Sequence, residues 1–213
     1  MDGPPVAQEA PAIMITLAII AVTCVVSFLA FNKPRLMDDL ILWPPAIQRH
    51  REYHRLVTYG LIHADFGHLL FNMLTLFFFG RLIEQFYSAE LGRLGFLLFY
   101  IAAMVVSILP TYIKNRRNSN YHSLGASGAV SAVLFTFVLL APWSKIIVFV
   151  LPMPAILYAV LYVGYSLYMD RAGRDNINHS AHLWGAAFGV VFTLLIEPRV
   201  FTHFLAALLN PRM

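Results

Sequence analysis

Charge is scarce in this chain. Of its 213 residues only 12% are Asp, Glu, Lys or Arg, against about 25% in a typical soluble domain. Cysteine is nearly absent: Cys24 stands alone, which excludes an intrachain disulfide and leaves the compartment unmarked by cysteine usage. No dense basic cluster accompanies the formal charge of +4, so that excess reads as loop charge beside lipid headgroups and not as a nucleic-acid surface. Internal repeats and low-complexity segments are missing too, and the apolar runs leave too little sequence for a separate soluble domain. What the chain does have is apolar surface, with 59% hydrophobic residues and a mean hydropathy of +0.69. Such a chain is solvated by lipid, and helices of about 20 apolar residues are what cross a bilayer.

Six helices are the simplest parse, giving an all-α membrane protein in one domain, 1–213. It divides into a short N-terminal tail, 1–11, a six-helix core, 12–196, and an interfacial C-terminal segment, 197–213. The first span, 12–31, has no basic residue before it and no clear small-residue cleavage site, so it reads as a retained span and not a secretory signal. A long loop, 32–66, carries Pro34, Pro44, Pro45 and the charged run "QRHREYHR". Spans two and three are expected over 67–87 and 91–113, the latter ending near Pro110. A basic loop leads to a short fourth span, 125–141. The fifth, 145–168, is kinked or loosened by Pro152 and Pro154. The sixth covers 179–196. In the tail, Val200, Phe204 and Leu208 recur at helical spacing and suit an interfacial or bundle-packed helix.

Spans two, four and six all begin on the same side of the membrane. Polar residues sit near those three beginnings: His68 and Asn72, Ser127, and His182. Polar groups in lipid are costly and turn toward the bundle interior, which makes them functional candidates. Serine becomes a nucleophile only with a base to take its proton, and His182 is the best-placed base. Gly125 and Gly128 near Ser127, with Gly185 and Gly189 after His182, would let two helix backbones approach closely. Small-residue packing with an incidental serine is the competing reading. His68 and Asn72 share one helix face and can both donate hydrogen bonds, as an oxyanion requires. A structural polar pair gluing helices is the alternative for them. The unsatisfied N–H groups at the head of the Ser127 helix would add to an oxyanion site.

Two rival motifs fail. The hydrolase elbow is G-x-S-x-G after a strand, whereas Gly125-Ala-Ser127-Gly128-Ala129 follows a loop. The zinc-protease motif is H-E-x-x-H, whereas "HREYH" places Glu52 one position late between His50 and His54. No metal and no cofactor is expected. Glu84, on the far side of the membrane from Ser127, reads as a structural hydrogen-bond acceptor. His63 reads as a loop residue that supports packing of the first loop.

The set His68-x-x-x-Asn72, Gly125-Ala-Ser127-Gly128 and Ala181-His182-x-x-Gly185-x-x-x-Gly189, in this order on six spans, resembles a rhomboid intramembrane serine protease. The resemblance implies a Ser127–His182 dyad in a water-filled cavity, with His68, Asn72 and the Ser127 amide holding the oxyanion. It also implies transmembrane proteins as substrates in the bilayer, a first loop wedged partly into the membrane, and a fifth helix that gates access. The pattern is broken twice. His54-Arg55 stands where rhomboids often have Trp-Arg, and Ser131 stands where an aromatic often packs on the catalytic histidine.

Basic residues give a conflicting orientation. The first, third and fifth loops hold Lys33, Arg35, Arg49, Arg51, Arg55, Lys114, Arg116, Arg117, Arg171 and Arg174, ten of the fifteen. By the positive-inside rule that side would be cytoplasmic. The resemblance implies the reverse: a multi-pass protein of a bacterial inner (cell) membrane with the active site facing the outside or periplasm. The alternative function is a catalytically silent rhomboid-like scaffold that binds transmembrane helices.

Overall fold

The structure, a computed structural model, describes residues 15–148, 150–173 and 175–211. The expected tail 1–11 and the first residues of the first span lie outside them. In chain order the elements are α1 (Ile15–Phe31), three short helices α2 (Pro34–Leu40), α3 (Pro44–His50) and α4 (Arg55–Thr58), and then a 3-10 turn, Tyr59–Leu61. They continue as α5 (Phe66–Leu91), α6 (Gly95–Asn115), α7 (Ser127–Leu140), a hairpin of β1 (Lys145–Val148) and β2 (Leu151–Pro154), α8 (Ala155–Ala172), α9 (His179–Ile196) and α10 (Arg199–Leu209). α5, α6 and α9 are long and apolar enough to cross a membrane. α1, with 17 residues, and α7, with 14, are shorter apolar helices. Phe78, Leu98, Val160 and Leu195 stand more than half exposed on the outside of the bundle. That is the inside-out pattern of a surface that meets lipid tails.

α7 is the centre of the bundle. Every residue from Gly128 to Leu139 is buried, as befits a helix that is apolar all round. α9, α5 and α6 pack around it, α1 lies on α5, and α8 lies on α9. The α7–α9 pair is the most intimate, because a Cβ on Gly185 would run into the Gly128 carbonyl and one on Gly189 into the Ala132 carbonyl. A buried polar knot ties the same helices lower down. The Thr193 hydroxyl donates to the Gly189 carbonyl at 2.6 Å and meets Tyr87 Oη at 2.8 Å and Thr136 Oγ1 at 3.1 Å. Glu84 is an acceptor, as its position suggested: its carboxylate takes the Ile15 and Thr16 N–H groups at 2.6 and 2.9 Å. Those are two of the donors that lack an intrahelical partner at the start of α1.

Two expected boundaries are corrected. Lys145–Val148 and Leu151–Pro154 pair as a hairpin before α8, not as the first turns of a span. Pro152 and Pro154 lack the N–H a helix interior needs, while a two-stranded ribbon has only edges and accommodates them. The first N–H groups of α8 are taken instead by Ser144 and Pro142 carbonyls at 3.0 and 2.9 Å. α6 runs through Pro110 to Asn115, past the expected stop. Thr111 donates to Asn178 at 3.2 Å, and Asn115 Nδ2 donates to the Thr111 carbonyl at 2.9 Å, so the turn beyond the proline is held by side chains. The tail helix α10 turns Val200 inward, and Trp143 Nε1 donates to its Ala207 carbonyl at 2.9 Å.

Gly185→Val should cost about 3 kcal/mol or more, because the added carbons meet backbone and not a movable side chain. Gly164→Ala on α8 meets nothing within 4 Å and should be neutral or stabilising by up to about 1 kcal/mol. Reversible denaturation in mild detergent checks the pair; equal stability of the two variants would contradict the close α7–α9 contact.

Candidate active site

Ser127 opens α7 below the loop side of the bundle, half-buried. Its approach is shaped by the first loop, whose Leu42 pairs with Ser123 through two backbone hydrogen bonds of 3.0 and 3.1 Å. Trp43 Nε1 donates to the Ser119 carbonyl at 3.1 Å, and the Gly125 N–H donates to the Tyr59 carbonyl at 2.9 Å. Gly125 adopts φ +109°, which L side chains avoid, and a Cβ there would stand 2.5 Å from His68 Cε1. Glycine therefore serves both the turn and the seat of the His68 ring. Arg55 braces the first loop itself. Nearly buried, it pairs with Glu52 at 2.5 Å and donates to the Asp38 and Ile41 carbonyls at 2.6 and 2.8 Å. Its guanidinium holds the Glu52 carboxyl below the usual range.

Each histidine helix is capped by a side chain. Asp65 accepts from the His68 N–H at 2.8 Å and starts α5. Asn178 accepts from the Ala181 N–H at 3.0 Å and starts α9, and it also donates to Ser123 Oγ at 3.3 Å. Asp175 pairs with His179 at 3.1 Å, and that bond lowers its carboxyl pKa.

These elements enclose a cavity of about 1000 Å³. Ser127, His182, His68 and Asn72 all line it, with Gly125 and Gly128 in its wall. Gly185 and Gly189 lie behind, where α9 meets α7. Asn72 Nδ2 donates to the His68 carbonyl at 2.9 Å, which uses one of its two amide hydrogens and leaves the other for the cavity. The lining continues along Val130 and Leu134 between Asn72 and Thr75 of α5 and Tyr158 and Tyr162 of α8, so the space reaches toward the lipid-facing side as well as the loops.

A hydrogen-bonded serine–histidine pair lies outside this cavity. Ser27 Oγ is 3.0 Å from His63 Nδ1, and both residues are fully buried. His63 Nε2 accepts from the Ala126 N–H at 3.4 Å, so the ring proton is on Nδ1 and is donated to Ser27. Ser27 in turn donates to the Leu61 carbonyl at 2.9 Å. The proton direction is the reverse of what a base acting on serine needs, so this pair is a brace. It runs from α1 through His63 to the residue before Ser127. Burial, and secondarily the nearby His68, push the His63 imidazole down to about 3 and keep it neutral. The sequence marks His63 only as loop support, and its tie to Ala126 is visible in the fold alone. Among the described residues no group of three or more His, Cys, Asp or Glu side chains comes together as a metal site.

Comparison with known proteins agrees with this architecture. The Rhomboid domain family model matches residues 50–199, more than half of the chain. The chain belongs to the rhomboid family. It is 30% identical over 175 residues to RHOMBOID-like protein 12, mitochondrial, of Arabidopsis thaliana, covering 76% of this chain and 51% of that one. It is 27% identical over 183 residues to Rhomboid protease GlpG of Haemophilus influenzae, covering 84% and 88%. Against Rhomboid-like protein 11, chloroplastic, of Arabidopsis thaliana the identity is 33% over 161 residues, 68% of this chain and 53% of that one. The chain thus spans about half the length of these two plant relatives.

Because His63 is neutral when folded and ordinary when unfolded, the unfolded state binds the extra proton below about pH 6.5. Its contribution is complete above that pH and is lost as pH falls toward 3. Unfolding free energy should therefore drop on acidification, by up to about 1.4 kcal/mol per pH unit from this group. His63→Leu should flatten that dependence; an unchanged slope would mean that His63 is not held neutral.

Proposed function

We propose that the chain is an intramembrane serine endopeptidase that cleaves peptide bonds in or beside transmembrane segments, with Ser127 as nucleophile and His182 as base. The observation that carries the reading is that Ser127, His182, His68 and Asn72, drawn from three separate helices, line one cavity in a member of the rhomboid family. Ser127 Oγ attacks the scissile carbonyl while His182 takes its proton. The oxyanion is held by His68, the free amide hydrogen of Asn72 and the N–H groups at the head of α7. Collapse breaks the C–N bond, and His182 returns the proton to the leaving amine. A water deprotonated by His182 then releases the acyl group and regenerates Ser127.

A six-span bundle in one domain completes the reading, with α1, α7 and α8 crossing beside the three long helices. α7 suffices at 14 residues because its head starts below the surface. The cavity reaches sideways between α5 and α8, which suits a substrate arriving from the lipid. Unwinding of the substrate helix exposes its carbonyls to Ser127. The loop side bearing the cavity faces away from the cytoplasm, in a bacterial inner membrane. Arg55, bound to Glu52 and two carbonyls within the first loop, weakens the opposing charge count.

Ser127→Ala and His182→Ala should each abolish cleavage of single-span test substrates in proteoliposomes while leaving thermal stability near wild type. Asn72→Ala should slow it by about 10- to 1000-fold. Cleavage retained by either dyad variant would overturn the assignment, and an unaltered Asn72→Ala rate would make Asn72 a helix-gluing residue. A scaffold would bind the same substrates and cut none.

A further inference from the structure

His182 needs an orienting partner, and neither carboxylate nor amide at the start of α9 serves: Asp175 pairs with His179, while Asn178 caps the helix. On α7 the residue one turn after Ser127 is Ser131, too small to support a ring. The face of the ring is covered from a different helix. The Tyr162 ring of α8 lies 6.0 Å from the His182 ring, centroid to centroid, at an interplanar angle of 24°, the offset-stacked range for aromatic pairs. Its hydroxyl is 2.6 Å from Ser131 Oγ. Ser131 Oγ already donates to the Ser127 carbonyl at 2.8 Å. A serine hydroxyl has one hydrogen, so Tyr162 is the donor and Ser131 the acceptor. The ring is thus pinned at its tip to the helix that carries Ser127, and its face lies along His182. Phe135 and Tyr158 hold its other sides at 5.6 and 5.7 Å.

We propose that Tyr162 is the positioning residue of His182 and that Ser131 is small so as to receive it. The base is then held between the face of Tyr162 on α8 and the edge of His179 on its own helix, whose ring centroid lies 5.6 Å away at 75°. α8 buries only Ala155, Ala159 and Ser166 along its length, so this tie is a principal link between α8 and the reacting groups. With α8 docked the Tyr162 ring lies on His182, and displacement of α8 would take that support away. The inference rests on the Ser127–His182 reading above.

The test uses the full chain in mild detergent and a rhodamine-tagged fluorophosphonate, with the limiting labelling rate kinact and the half-saturating concentration KI measured separately. Tyr162→Leu should lower kinact by about 10- to 100-fold, the scale of a misplaced general base, with KI within about threefold. Tyr162→Phe keeps the ring and should stay within about fivefold of wild type, losing only the bond to Ser131. The decisive arm adds Ser131→Phe to Tyr162→Leu. A ring at 131 enters the space the Tyr162 ring vacates, so kinact should recover at least about tenfold although α8 gains no packing of its own. Melting temperatures are matched across the set, and Tyr162→Met, which keeps the bulk, replaces Tyr162→Leu if that variant does not fold. Wild-type kinact in Tyr162→Leu or Tyr162→Met overturns the proposal, as does a loss that Ser131→Phe fails to recover. Wild-type protein that does not label at all overturns the Ser127–His182 reading itself, and this inference with it.

Discussion

The site depends on how closely α7 and α9 approach. Ser127 is a short side chain at the head of one helix and His182 lies in the first turn of the other, so only near-contact of the backbones puts both on one cavity wall. Glycine makes that contact possible at two levels, Gly185 against Gly128 and Gly189 against Ala132, where any Cβ would meet a carbonyl. Lipid offers no hydrophobic drive for helix association, so small-residue packing and buried hydrogen bonds must supply it. The Thr193–Thr136–Tyr87 knot supplies the second of these just below the glycine contacts.

The remaining architecture places the head of α7. α7 is buried from Gly128 to Leu139, and the chain that leads to its head must be held in place. The first loop holds it: Leu42 to Ser123, Trp43 to Ser119, Tyr59 to Gly125 and His63 to Ala126. Arg55 keeps the loop folded enough to do so. Unpaired backbone groups away from water are costly, and these bonds satisfy them against a second loop.

Much of this was legible from residue types. The sixth span was expected and found at 179–196, and Glu84 reads as an acceptor from its place in an apolar helix. The small residues around Ser127 and His182 marked the pair of helices that meet. What sequence could not give was partnership between distant loops and helices. His63 looked like an ordinary loop histidine because its partners, Ser27 and Ala126, lie 36 and 63 residues away. Tyr162 was one tyrosine among several on α8, and only the fold lays it on His182. The hairpin of Lys145–Val148 and Leu151–Pro154 is hidden in the sequence because Ile146, Ile147 and Val148 fit either element, and two prolines suit a helix kink as readily as a short ribbon.

The central claim is that Ser127 is chemically activated by His182. Intact-mass and peptide-level mass spectrometry after treatment with diisopropyl fluorophosphate tests it most directly, because the adduct is read at a residue and no substrate is required. A single phosphoryl adduct is expected on Ser127, and it should be absent when His182 is replaced by alanine in a protein of equal thermal stability. An adduct on Ser27 or on any other serine, or one on Ser127 that persists without His182, would contradict that claim.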